Sequence, residues 1–263
     1  IAFLNQLVQE AKKYKAIDGK LKEALAEGGK GVRELRIVEM YGTKVEYGLM
    51  TDPMRYELLR SWPEKLLESP EKLKTVLQSF GKTDDSAAAF KGLVELLFQA
   101  TEMVIQIQGI TSYVLDKPDQ YIQQYAEEWY LIDQHYRRAI KGLNDLDTSA
   151  IPEFIDYDGL KKDVNQVYEK HIDQLNRQWL SCLNHFNFDY SKVSAPKQFD
   201  FYQAEVAGYD QKAVVIISDA LRYEVGRELL KELYKDSKNT AESKYKLASI
   251  PSKTSVGMAQ LLP

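Results

Sequence analysis

The chain has 263 residues, 35 basic against 39 acidic side chains for a formal charge of −4, 44% hydrophobic residues and a single cysteine. That apolar fraction at so low a net charge excludes a disordered chain, the acidic balance excludes a globally basic nucleic-acid binder, and no run of about 18 uninterrupted apolar residues exists to span a membrane. Cys182 has no internal disulfide partner, and residues 1–15 lack the basic, apolar, small-residue order of a secretory signal, so a cytoplasmic protein of one or two domains is expected.

The first three quarters of the chain carry helical periodicity. Residues 1–27 line Phe3, Leu7, Ala11, Tyr14, Ile17, Leu21 and Leu25 along one face until Gly28, Gly29 and Gly31 end the run. Residues 32–60 are open between helix and a short extended piece, because Val, Ile and Tyr are mixed with Gly42 and Gly48. Ser69 before Pro70 and Glu71 reads as an N-cap followed by proline at the first helical position, with Gly81 as a stop, which predicts a helix over 70–80. Residues 86–115 are the most apolar segment, interrupted by Lys91, Glu95, Gln99 and Glu102; they read as a buried core helix with a break near Gly109.

Two long helices follow, each with an aromatic stripe. Tyr125, Trp129, Ile132, Tyr136, Ile140 and Leu143 share one face of the first; Leu160, Val164, Val167, His171, Leu175, Trp179, Cys182 and Phe186 share one face of the second. They are expected to pair antiparallel in a helical bundle across a connection at 145–156. The 17 tyrosines invite a reading as a stacking platform for bases, but aromatics at helical spacing are the ordinary stuff of a core with phenols at its boundary. His135, His171 and His185 form no HExxH pair, and Cys182 has no second thiol with which to build a zinc set, so they read as core or boundary histidines.

The texture changes after Phe188. Residues 189–211, with Pro196 and Gly208, read as a connector. Ala213 to Ser218 is an apolar, β-branched run suited to a strand buried on both faces of a parallel sheet. Leu221, Val225, Leu229 and Leu233 then recur every four residues as an amphipathic helix. A second strand is expected over 245–250 and a helix over about 255–262, the opening of a βαβα unit.

Chemistry gathers at the ends of the two predicted strands. Asp219 follows the first, where open parallel sheets place their ligand sites, and its carboxylate suits a divalent cation; equally, Ser218 and Asp219 suit an N-cap. Ser252, Lys253, Thr254 and Ser255 follow the second. A hydroxyl at a helix start can attack a phosphoryl group when a metal lowers its pKa, and it too can be only a cap. Adjacent parallel strands would bring Asp219 and Thr254 to one sheet edge. Gly28-Gly29-Lys30-Gly31 lacks the GxxxxGK[ST] spacing, so ATP binding has no support.

The string VVIISDALRYEVGREL (214–229) with LASIPSKTSVGMAQLLP (247–263) resembles the PglZ family, the alkaline-phosphatase-superfamily component of BREX phage-defence systems. WYLIDQHYRRAI (129–140) and VYEKHIDQLNRQW (167–179) are similar to the region upstream of the PglZ domain in the type 1 BREX protein, so the resemblance covers about 120–263. The periodicity gives a mainly α-helical region (1–195, with a division near 120 left open) and a connector (196–211), and the resemblance implies that 212–263 are the first βαβα part of an α/β alkaline-phosphatase-like domain. It implies Asp219 as a metal ligand and Thr254 as the nucleophile, with Arg222 and Lys253 as substrate contacts; Arg222 can instead pair with Glu224 or Asp219, and Lys253 can be a solvated lysine. The cofactor implied is a divalent metal, zinc in the superfamily.

The superfamily's other Asp and His ligands would lie after Pro263, so the sequence reads as a fragment, inactive by itself, of a metal-dependent phosphatase or phosphodiesterase, with a metal-dependent nuclease as its nearest variant. A different class of reading is a helical interaction module or scaffold within the defence complex. The implied partners are other BREX components and a phosphate-ester or nucleic-acid substrate, with no membrane.

Overall fold

The computed structural model describes residues 20, 52–80, 87–210, 212–219, 221–238 and 240–262. The expectations for 1–27, for most of 32–60 and for a helix start at Ser86 fall outside these residues. The chain divides into two compact units that interleave in sequence, 1–109 with 135–170, and 110–134 with 171–263.

In the first unit, α1 (Asp52–Leu58), α2 (Trp62–Glu68) and α3 (Pro70–Phe80) follow one another closely. Ser69 is the joint. Its N–H donates to Lys65 O at 3.1 Å to close α2, and its carbonyl accepts from Leu73 N at 3.3 Å to open α3, so Pro70 sits where a helix needs no amide donor. Leu73, Leu77 and Phe80 then bury one stripe against α4 (Ala88–Gln108), whose Phe90, Leu93, Leu97, Ala100, Met103 and Val104 are buried in turn. Phe80 and Phe90 meet edge to face at 5.4 Å, a geometry that sets the positive ring edge on the negative face.

Gly109 caps α4 by donating to Ile105 O at 2.9 Å, so the break expected there is the helix end. From His135 onward, α6 (Tyr130–Asp145) packs close to α4: a Cβ added at Gly142 would lie 3.1 Å from Leu96 Cβ. α7 (Tyr157–His185) joins through Tyr168, stacked flat on Tyr136 at 3.6 Å and 4°, while the Tyr136 hydroxyl donates to Asn165 Oδ1 at 2.9 Å. The connection between α6 and α7 holds one 3-10 turn, Thr148–Ala150, capped by Asp147.

The second unit begins at α5 (Pro118–Gln124), where Gln120 Oε1 accepts from the amides of Asp116 and Lys117, both at 3.0 Å. The helix then loosens into a π turn, Tyr125–Trp129, before resuming as α6. The aromatic helix expected as one regular run is therefore interrupted. α7 ends with Phe188 N donating back to Leu183 O at 2.9 Å, Asn187 and Phe188 taking left-handed φ of 56° and 53° in a closure that satisfies a last-turn carbonyl. Beyond the 189–211 segment come α8 (Tyr223–Leu233) and α9 (Thr254–Gln260), close to the two helices the periodicity predicts.

The predicted strands do not form among the described residues. Residues 212–218 carry no regular structure, and Val214 and Ile216 are 86% and 87% exposed. A strand exists only when a neighbour takes its amides and carbonyls and another layer covers its faces, and no described segment pairs with this one. Residues 245–250 make a single parallel bridge, Leu247 with Lys197, and are otherwise irregular. The βαβα order is thus present as its two helices, without its sheet.

Candidate functional site

Asp219 lies in the turn after the exposed 212–218 run. Arg222 is the N-cap residue of α8, and its Nε approaches Glu224 Oε1 at 2.9 Å, an arginine half exposed against a glutamate wholly buried. This is the Glu224 pairing that the sequence left open for Arg222. α8 itself is held by Tyr223: its hydroxyl donates to Ala126 O at 3.1 Å, and its ring meets Tyr130 edge-on at 5.5 Å. The π turn makes this bond understandable. Tyr130 N donates to Tyr125 O, a step of five residues, which draws the amide away from Ala126, its partner in a regular helix.

Thr254 is the first residue of α9 and Lys253 its N-cap residue, and both side chains are exposed. The first turn closes through Val256 N and Gly257 N, donating to Lys253 O at 3.0 and 2.9 Å. The preceding segment is strapped by residues 190–198: Leu247 N donates to Pro196 O at 2.7 Å, Gln198 N donates to Leu247 O at 2.9 Å, and the Tyr190 hydroxyl donates to Ala248 O. Gln198 also reaches α9, its Nε2 donating to Gly257 O at 3.0 Å; a Cβ at Gly257 would come within 3.1 Å of that nitrogen. Gln198 and Tyr190 therefore fix the stretch that ends in Thr254, and sequence reasoning missed both. Their partners in these bonds lie 59 and 58 residues away, beyond any local periodicity.

The juxtaposition expected for Asp219 and Thr254 was to come from neighbouring strands of one sheet. That sheet is not formed here, and the segment before Thr254 pairs with Lys197 instead. The donor set follows suit. Asp219 is a hard oxygen donor of the kind a divalent cation takes, but among the described residues no group of three or more His, Cys, Asp or Glu side chains gathers to hold a metal. The described residues therefore do not complete the shell of such an ion around Asp219.

The histidines have other work. His171 is buried, with Nδ1 2.8 Å from the Tyr113 hydroxyl; burial pushes its imidazole below the usual value, with Asp133 opposing. His135 Nδ1 lies 2.6 Å from Gln99 Oε1 and is likewise lowered, by burial first. His185 is exposed and turns back to Ser181 O at 2.7 Å. The Cys182 thiol is buried and pushed upward by burial, which makes it a poor nucleophile.

The second unit also holds a cavity of about 480 Å³. Tyr121, Tyr125, Trp129, Trp179, Tyr223 and Tyr245 form much of its wall. The sequence showed the stripes that supply these rings, but not that α8 and the 243–248 segment close over them.

Comparison with known proteins follows the same division. Residues 202–263 match the BREX system PglZ alkaline phosphatase-like domain. The chain is 28% identical over 185 residues to the alkaline phosphatase-like protein PglZ of Bacillus cereus (strain H3081.97), covering 67% of this chain and 21% of that protein. It is 31% identical over 150 residues to the alkaline phosphatase-like protein BrxZ of Escherichia coli O9:H4 (strain HS), covering 53% of this chain and 17% of that protein. No solved structure matches.

The class these findings define is alkaline-phosphatase-like. Within it, residues 202–263 match the PglZ domain of BREX systems, and the chain is similar to the PglZ and BrxZ proteins of those two bacteria. It spans about a fifth of the length of the curated relatives it matches. No helix among the described residues is long and apolar enough to cross a membrane.

Proposed function

We propose that this chain is part of a PglZ-type, metal-dependent phosphatase or phosphodiesterase of a BREX defence system, with residues 212–263 contributing the first part of its α/β domain. Asp219 is assigned as one metal ligand and Thr254 as the nucleophile. The observation that carries this reading is the match over 202–263, which takes in the turn bearing Asp219 and the helix start bearing Thr254. A bound divalent ion, zinc by resemblance, would supply positive charge against the phosphate and favour the ionised hydroxyl. The Thr254 oxygen attacks phosphorus as the ester oxygen departs, and water then cleaves the phospho-threonine, returning the hydroxyl and releasing phosphate or a monoester. Thr254 is solvent-exposed, as an attacking group must be to meet a substrate. Arg222 is committed to Glu224 and serves to fix the start of α8; Lys253, exposed beside the nucleophile, is the better phosphate contact.

The test uses the longer protein that contains this chain, with added zinc, manganese or magnesium. Hydrolysis of p-nitrophenyl phosphate and of bis-p-nitrophenyl phosphate separates monoesterase from diesterase, and a DNA substrate reads out the nuclease variant. Thr254→Ala and Asp219→Ala should each lower turnover by 100-fold or more, in line with roughly 10²–10³ for loss of a group that acts on the transition state. Full activity in both variants sinks the assignment.

A second reading is favoured by the donor set, since among the described residues no group of three or more His, Cys, Asp or Glu side chains gathers to hold a metal: the chain acts as a docking module for other BREX components in the cytoplasm, without chemistry of its own. The 263-residue chain should then retain a partner from the same system on a column, and Asp219→Ala should leave that retention unchanged.

A further inference from the structure

We infer that the aromatic cavity of the second unit is a binding site for a mononucleotide, taking the base against its rings and the phosphate at Lys244. The proposal is independent of the phosphatase reading, because neither Asp219 nor Thr254 lines this cavity.

Its size comes first. At about 480 Å³ it lies within the ~300–1,000 Å³ typical of small-molecule sites. Its walls come next. The contacts these rings make with one another are inclined: Tyr121 with Trp179 at 66°, Tyr121 with Trp129 at 68°, Tyr125 with Tyr223 at 51° and Tyr223 with Tyr245 at 79°. The three pairs near 70° or above set an edge against a face and the Tyr125–Tyr223 pair is tilted, unlike the flat Tyr136–Tyr168 pair, in which each ring covers the other. A flat heterocycle can therefore lie on Tyr245, which remains 39% exposed, and gain the stacking that bases draw from aromatic side chains.

Charge selects among flat ligands. Among the described residues, Arg222, Lys244 and Lys246 line the cavity, and no Asp or Glu does. Two of the three cations are committed, Arg222 to Glu224 at 2.9 Å and Lys246 to Glu205 at 3.1 Å. Among the described residues, Lys244 has only long contacts to carboxylates, 3.8 Å to Glu205 and 3.5 Å to Glu242, and its side chain is 58% exposed. Such solvated pairs contribute little, so exchanging them for a ligand phosphate costs little. An aromatic wall beside one exchangeable ammonium favours a ligand that is flat at one end and anionic at the other. A nucleotide has that form, and a neutral ring or bare phosphate offers only half of it.

Calorimetric titration of the 263-residue chain with AMP, TMP, adenosine, thymidine and inorganic phosphate tests this. Both nucleotides should bind more tightly than their nucleosides and than phosphate. Tyr245→Ala should weaken nucleotide binding about tenfold, within the range of one lost stacking partner, while Tyr245→Phe, which keeps the ring, should bind as the parent does. Lys244→Gln should weaken it severalfold and flatten its dependence on salt. Circular dichroism of each variant controls for folding. Absence of nucleotide binding at millimolar concentration overturns the proposal, as does parent-like binding in both Tyr245→Ala and Lys244→Gln. Phosphate binding as tightly as AMP would show an anion site without base recognition and would overturn it as well.

Discussion

The α3–α4 core and the 212–219 run are both rich in large apolar side chains, yet one is buried and the other stands in solvent. Leu73, Leu77, Leu93 and Leu97 are at most 1% exposed, whereas Val214 and Ile216 exceed 85%. The difference lies in how each segment satisfies its backbone. A helix closes its own hydrogen bonds and needs only one companion for its apolar stripe. A strand must borrow hydrogen bonds from neighbours and needs cover on both faces. Apolar content predicts burial only where the partner segment is at hand.

Substitutions can break or sharpen this contrast. The largest effect is expected for Leu97→Ala, which opens a cavity among fully buried neighbours and should cost about 2–5 kcal/mol in denaturant unfolding. A cost below about 1 kcal/mol would mean that the core is loosely packed. Next comes Tyr223→Phe, which removes the donor to Ala126 O and should cost about 1 kcal/mol; an unchanged midpoint would show that the ring alone holds α8.

A smaller effect should appear on acidification. His171 and His135 bind protons less readily folded than unfolded, because burial opposes their charge. The unfolded chain therefore takes up more protons as pH falls below about 6.5. Their contribution to stability is fully present above that pH and is lost as pH falls through it toward the folded values. Urea unfolding between pH 7.5 and 5.5 should show this slope, and His171→Gln should make it shallower; a slope of opposite sign would contradict the buried, neutral assignment. Smallest of all, Ile216→Ser should change the stability of this chain by no more than about 0.5 kcal/mol, and a loss of 2 kcal/mol would show that the run is covered.

Legibility in the sequence followed the same physics. The helix predicted over 70–80 is Pro70–Phe80, because its signals, a serine before proline and a stripe of leucines, lie within the element itself. α8 and α9 were legible for the same reason. The run at 213–218 carried a correct composition for a buried strand, but composition does not report whether a ladder partner is present. Asp219 and Thr254 stood out through motif resemblance, and the structure adds their local setting, a turn and a helix start, without the sheet that would join them. The Gln198 tie to α9 left no sequence signal, and of the cavity only the aromatic stripes were legible, since both arise where segments distant in the chain meet.

The π turn at Tyr125–Trp129 has a consequence for how the aromatic wall came to face as it does. A π turn is what remains when a helix absorbs one additional residue without displacing either end. Each residue of a helix turns the next by about 100°, so an insertion left unabsorbed would swing every later side chain of α6 by that angle. Because the extra residue is taken up locally, Tyr121 before the turn, Tyr125 at its start and Trp129 at its end stay on the cavity side together, while Ala126 is left with a carbonyl for Tyr223. One residue of slack thus serves as an adjustment of phase, allowing a helix built on one period to present rings and a backbone acceptor toward the same neighbour.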